Sequence, residues 1–291
     1  MSVDPIHESP HASTDPSYCE TWAYLLTDLE RKMTLLVHAS WLPGRGVGNH
    51  FVTLQRAGQP EQAVRVESRE PFRSELFELE VDPWKNARVR SPRFELDLEF
   101  PAFTPPIDFG SLFTLGEGMK QSHVQAGVRA FGRVGREELR AVPGFRDRSW
   151  GPRELRQMGR IVALLMTGVE RDLFITVNTM THRDRPFTAG PDTTLGCVAI
   201  DGEVTVFGEP PRVLRNADAT PAVFELPGVT IDLDLAQAFQ EGRFLADRTS
   251  APDGFPTAEP ILMFRMWALG AEARGLGRLA GSYQEGFLFT N

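Results

Sequence analysis

Strict alternation of apolar and charged residues constrains this chain more than any other feature. In Arg93–Phe100 (RFELDLEF), Phe94, Leu96, Leu98 and Phe100 alternate with Arg93, Glu95, Asp97 and Glu99. Successive side chains of an extended backbone point to opposite faces, so such a segment buries one face and wets the other. Phe77–Asp82, Val124–Val134 and Val229–Leu235 repeat the pattern. Ile161–Met166, Leu173–Val177 and Ile261–Leu269 are apolar on both faces and read as strands deeper in a sandwich or barrel. Twenty-two prolines and 26 glycines punctuate the chain, as many short strands joined by turns require. Helical signals are confined to Glu154–Arg160 and Leu235–Arg243. Without βαβ alternation, a doubly wound or TIM architecture is not expected.

The expected fold is therefore all-β, as two consecutive antiparallel barrel-like domains. Residues 1–16 are polar and rich in Pro, His and Ser, and read as a disordered tail. The first barrel is expected over 17–142 and the second over 143–291, opening with a polar loop at Gly144–Arg153. The longest apolar run, Ile161–Met166, is far too short to cross a bilayer as a helix. The N-terminus lacks the apolar segment of a signal peptide. A net charge of −8 disfavours a nucleic-acid partner. Cys19 and Cys197 form neither a disulfide framework nor a CxxC pair, so a reducing, cytoplasmic location is the default. Oligomeric state is left open.

Candidate chemistry concentrates in GFRDRSWGPR (Gly144–Arg153). Arg146, Arg148 and Arg153 suit an ion-paired latch between the two domains, with Asp147 as their local partner. Alternatively, Asp147 is an acid or base in a cleft. Trp150, beside Gly151 and Pro152, offers a large ring for burial or substrate contact. His123 and Gln125 share one face of the preceding strand, with Arg129 further along. They are candidates to protonate or bind a substrate, against the plainer reading of rim residues. Glu20 and Trp22 share a face of the first strand, and a carboxyl buried beside an indole would be a candidate general acid. Glu285 is a further acidic candidate. Asn178 falls near the end of a strand, where barrel-mouth residues sit, and Trp267 lies on a very apolar strand; both are candidate substrate contacts. His7 and His11 have no third ligand near them in sequence, so no metal site is expected. The glycine-rich Gly44–Gly48 precedes no helix and reads as a loop rather than a nucleotide cradle.

The run GFRDRSWGPR, preceded by SHVQAGVRAFGRV, resembles the AttH and carotenoid 1,2-hydratase-like superfamily. There, a G-x-R-D-H-S-W-G-x-R signature opens the second half. The likeness extends in layout from about Tyr18 over most of the chain. It implies tandem lipocalin-like barrels. It also implies activity on large apolar substrates without redox cofactors, as in hydratases of isoprenoid double bonds and cyclases that fold polyenes. Arg146, Asp147, Ser149, Trp150, Gly151 and Arg153 map onto the signature. Arg148 stands where the family has His, which removes a group titrating near neutrality. The expected function is a cofactor-free enzyme on an apolar isoprenoid- or polyketide-like molecule, acting by acid–base hydration, dehydration or cyclisation. A non-catalytic carrier and a pericyclic cyclase are the alternatives.

Overall fold

The computed structural model describes residues 3–110, 113–114, 120–152, 158–182, 184, 190–218, 220–235, 238, 240–246 and 261–289. The first sheet contains β1 (Tyr18–Asp28), β2 (Met33–Leu42), β3 (Val47–Arg56), β4 (Gln62–Ser68), β5 (Glu78–Asp82), β6 (Asn86–Ser91), β7 (Leu96–Glu99), β10 (Lys120–Val134) and β11 (Glu137–Pro152). The short β8 (Ile107–Asp108) and β9 (Phe113–Thr114) pair with β10. The second sheet contains β12 (Met158–Gly168), β13 (Leu173–His182), β14 (Thr193–Ile200), β15 (Glu203–Phe207), β16 (Arg212–Arg215), β17 (Pro221–Leu226), β18 (Val229–Leu233), β19 (Gln240–Ala246), β20 (Ile261–Ala273) and β21 (Gly277–Phe289).

The strand order is β4-β3-β2-β1-β11-β10-β7-β6-β5 in the first sheet and β15-β14-β13-β12-β21-β20-β18-β17-β16 in the second. The two paths are the same nine-strand meander, curled twice and antiparallel throughout, so the expected tandem of β domains is present. Each sheet closes over its own core. Trp22, Tyr24, Leu26, Val89, Leu98 and Phe100 belong to the first, and Leu164, Ile175, Phe224, Ile231 and Tyr283 to the second. Each such side chain contributes about 1.5–3 kcal/mol when taken from water.

Several expectations require correction. The polar run from Gly144 is not a loop between domains but most of β11, a central strand between β1 and β10. Its two faces alternate polar with polar, so no apolar periodicity announced it. The last strand of the first sheet accordingly runs to Pro152, and the second sheet starts with β12 at Met158. At the two expected helices, the described residues are largely strand. Met158–Arg160 opens β12 and Gln240–Arg243 belongs to β19, while the remaining residues of those segments lie partly outside the described chain.

The N-terminal residues are not a disordered tail. Pro5–Glu8 forms a 3-10 turn capped by Asp4, whose Oδ1 accepts from Ile6 N at 2.9 Å. Val3 and Glu8 are buried. The segment is anchored by indoles rather than by apolar periodicity. Trp22 Nε1 donates to Glu8 O at 3.1 Å, and Trp84 Nε1 to Asp4 O at 3.2 Å.

A third apolar cluster joins the outer faces of the two sheets. Leu25, Phe145, Ile107 and Phe109 from the first meet Ala163, Leu165, Phe174 and Met266 from the second. Contact is close enough to need glycine. A Cβ on Gly127 would lie 2.5 Å from the Phe103 ring and 2.9 Å from Phe174 Cβ, across the interface. The interdomain latch is Arg129, not Arg146 or Arg148. Its guanidinium donates to Gly168 O and Arg171 O, both at 2.6 Å. Thr167 adds a hydroxyl bond of 2.9 Å to Gly144 O.

Candidate functional site: a polar row between the two sheets

Strand parity sorts the signature. Arg146, Arg148 and Trp150 face the first barrel's interior, whereas Phe145, Asp147 and Ser149 face the second sheet. Asp147 is thus not the partner of its neighbouring arginines. Arg146 pairs with Glu8, and Arg148 with Glu20, both pairs almost wholly buried. Arg148 also stacks on Trp22, 3.9 Å from the ring, and donates to His7 O at 2.8 Å and Ser9 O at 3.2 Å. Burial pushes its pKa down, opposed by Glu20. These two arginines fasten the N-terminal segment to the first barrel. Arg153 lies outside the described residues.

On the opposite face of β11, Asp147 meets the pair that β10 presents. His123 Nε2 lies 2.7 Å from Asp147 Oδ2, and Gln125 Nε2 donates to the same oxygen at 2.7 Å. A carboxylate oxygen only accepts, so the imidazole carries its hydrogen on Nε2 and its basic nitrogen is Nδ1. The 2.8 Å approach of the Gln125 and His123 nitrogens follows from their shared acceptor. Gln125 is fully buried, and its Oε1 has no hydrogen-bond partner among the described residues. Next along the face, Thr21 and Ser149 exchange a 2.6 Å hydroxyl bond.

The second sheet presents a matching row. Asn178, Ala163, Gln284 and Met266 are register neighbours across β13, β12, β21 and β20. Asn178 Nδ2 donates to Thr176 Oγ1 at 3.1 Å, and Gln284 Nε2 to Ser282 Oγ at 3.2 Å. The Thr167–Gly144 bond ties β12 to β11. A histidine–carboxylate–amide group therefore lies at an interface otherwise lined by Phe109, Ile161, Met180 and Met266. Such a pair can take a proton, hold it as imidazolium against the Asp147 charge, and return it. Among the described residues, no three His, Cys, Asp or Glu side chains gather as metal ligands.

Of the residues singled out by sequence, His123, Gln125, Asp147 and Asn178 come to this interface. Asn178 is on the outer face of β13 rather than at a barrel mouth. Glu20 does not: it is buried, but its oxygens accept from Arg148 and from His11 N, the latter at 2.7 Å. Trp22 is core. Trp150 stacks on His7 and His11, with ring centroids at 4.8 and 5.4 Å. Glu285 and Trp267 belong to the second barrel's interior. There Tyr283 donates to Glu285, Arg160 approaches it at 3.4 Å, and Trp267 stacks on Tyr283 at 5.4 Å. Burial and the Glu285 charge push the Tyr283 phenol well above its ordinary range. A cavity of about 130 Å³ opens beside this group, lined by Val162, Val177, Val213, Phe224 and the arginines 160 and 215. Thr21, Thr176, Ser282 and Gln284 were not singled out. Their only sequence signal is parity with Asp147 or Asn178, legible once the strands are paired.

The fold defines an architecture: two curled antiparallel half-barrel sheets in tandem. Three solved structures share the architecture. The AttH protein of Nitrosomonas europaea is 13% identical, covering 99% of this chain and 98% of its own, with a TM-score of 0.65. CghA, solved with Sch210972, is 13% identical over 95% and 89%, at 0.60. Kievitone hydratase from Nectria haematococca is 12% identical over 99% and 94%, at 0.52. The neighbours thus include a hydratase. No curated protein matches the sequence. The chain belongs to the family described as domain of unknown function DUF7064, whose model matches residues 4–208.

Proposed function

We propose that this chain is a small-molecule enzyme that moves a proton on an apolar, polyketide-like alkene held between its two sheets. The observation that carries this reading is the His123–Asp147–Gln125 group, an acid–base pair at an interface of apolar side chains. Imidazolium at His123, stabilised by Asp147, gives its proton to one alkene carbon. Water bonds to the other carbon and loses a proton to His123, so the histidine ends as it began and water has added across the double bond. Reversal is dehydration, and an internal hydroxyl in place of water gives ring closure. A double bond polarised by conjugation accepts a proton from an imidazolium more readily than an isolated isoprenoid one. The unpartnered Gln125 Oε1 offers an acceptor for a substrate hydroxyl. Each of these steps is a proton transfer or a water addition.

The test incubates the protein with a panel of conjugated polyketide and isoprenoid alkenes in heavy water. Deuterium on a product carbon, lost in His123→Ala, is the expected result. Product formed without deuterium would replace this reading with a template for pericyclic closure. Tight binding without turnover would replace it with a carrier. The hydratase and CghA among the structural neighbours support a small-molecule role and leave the reaction to that experiment.

A further inference from the structure

We infer that the first barrel contains a carboxylate-binding site that the chain's own Glu8 occupies as an internal ligand. The site is separate from the interface row, because Arg146 and Asp147 point to opposite faces of β11. It consists of the Arg146 guanidinium between the rings of Tyr24 and Trp84, at 5.7 and 5.5 Å, with the Trp22 and Trp84 indoles as donors beside it. Five of the anchoring contacts to the N-terminal segment accept on generic oxygens, the Glu8 carboxylate and the backbone carbonyls of Asp4, Glu8, His7 and Ser9, while His11 N donates to Glu20. No apolar side chain of the segment other than Val3 is committed to the barrel.

The internal ligand fits incompletely. Glu8 pairs with one amino group of Arg146, while Glu8 Oε2, Arg146 Nη1 and the Tyr24 hydroxyl are buried without a hydrogen-bond partner among the described residues. Burial raises the Glu8 pKa despite Arg146 and Arg148, so the carboxylate is held at a cost. A free carboxylate can engage both amino groups of an arginine side-on, which a side chain fixed by its own backbone does not do here. The chemistry to be recognised is therefore a carboxylic acid with an apolar body and further oxygen acceptors near the carboxyl, the last to satisfy the indoles and Arg148. Such a ligand competes with a tethered segment whose effective concentration is on the order of millimolar. Displacement also frees His7 and His11 from Trp150.

The experiment follows hydrogen exchange of the full chain as 3-hydroxydecanoate is added. The backbone amides of residues 3–12 are expected to exchange about tenfold faster at saturation, while β1 and β11 stay protected. The methyl ester, which lacks the charge, should leave exchange unchanged. Glu8→Gln weakens the internal competitor and is expected to tighten binding by about tenfold. Arg146→Gln should abolish the response, and Glu8→Gln carries the test if that variant does not fold. Unchanged exchange over residues 3–12 at saturating acid overturns the inference, as does equal action of acid and ester.

Discussion

At matching places in the two sheets, the charges are exchanged. Ala23 sits between Asp147 and His38 just as Ala163 sits between Gln284 and Asn178, which aligns the two registers. Glu20 then corresponds to Arg160, and Arg148 to Glu285. The first pair is wholly buried and clamped under the N-terminal segment; the second is partly exposed, at 24% and 14%, beside a cavity. The outer row differs in the same informative way. The ionisable Asp147 and its partner Gln125 correspond to the neutral Gln284 and to Met266. At these matched positions the titratable group is on the first sheet and its counterpart on the second is neutral. One barrel uses its buried charges to hold its own chain, while the other keeps them near a cavity.

The largest expected difference between the barrels is in stability. Arg148→Met leaves Glu20 buried and unpaired and releases the N-terminal segment, costing about 3–5 kcal/mol. Arg160→Met, at the more exposed pair, should cost about 1 kcal/mol or less. Urea denaturation of the two variants measures both, and equal losses would break the comparison.

The first barrel should also be the acid-sensitive one. His50 is buried against Phe77, accepts from Ser74 Oγ at 2.9 Å and donates to Pro71 O at 3.0 Å, and burial lowers its pKa to about 4. A histidine with a lowered folded pKa stays neutral while the unfolded chain protonates. Stability is therefore lost as pH falls from about 6.5 towards 4, by up to about 3 kcal/mol for this group. His50→Phe should flatten that part of the stability curve; an unchanged curve would show that His50 is not its source.

A smaller effect is expected at Trp150, which the sequence suggested as a buried anchor. It is half-buried and stacks on His7 and His11, so Trp150→Ala should cost about 1–2 kcal/mol, below the usual core aromatic loss of about 3–5. A loss in the full core range would mean that the N-terminal segment is more firmly seated than its contacts imply.

Legibility followed the same division. The strands with apolar faces, such as Leu96–Glu99 and Val229–Leu233, could be read from alternation because burial leaves a period of two in hydrophobicity. β11 could not, since its inward face buries Arg146 and Arg148 on partners distant in sequence. Glu8 was hidden for the same reason: ion pairing and indole donors hold it, and neither leaves a periodic trace. His123 and Gln125 were found because parity places them on one face. Their meeting with Asp147 depends on the β10–β11 register, which no local pattern encodes. The signature's histidine position, held here by Arg148, proves to face away from Asp147, so its replacement leaves the interface pair intact.

The central claim is that chemistry belongs to the row between the sheets and not to either barrel interior. The most direct measurement compares turnover of Asp147→Asn and Glu285→Gln, on whichever conjugated alkene the wild-type protein converts, with both variants shown to be folded. The account predicts a fall of about 10²–10⁴-fold for Asp147→Asn, the range of a lost general acid–base group, and nearly full activity for Glu285→Gln. Abolished turnover in Glu285→Gln beside an active Asp147→Asn would contradict it and move the reaction into the second barrel.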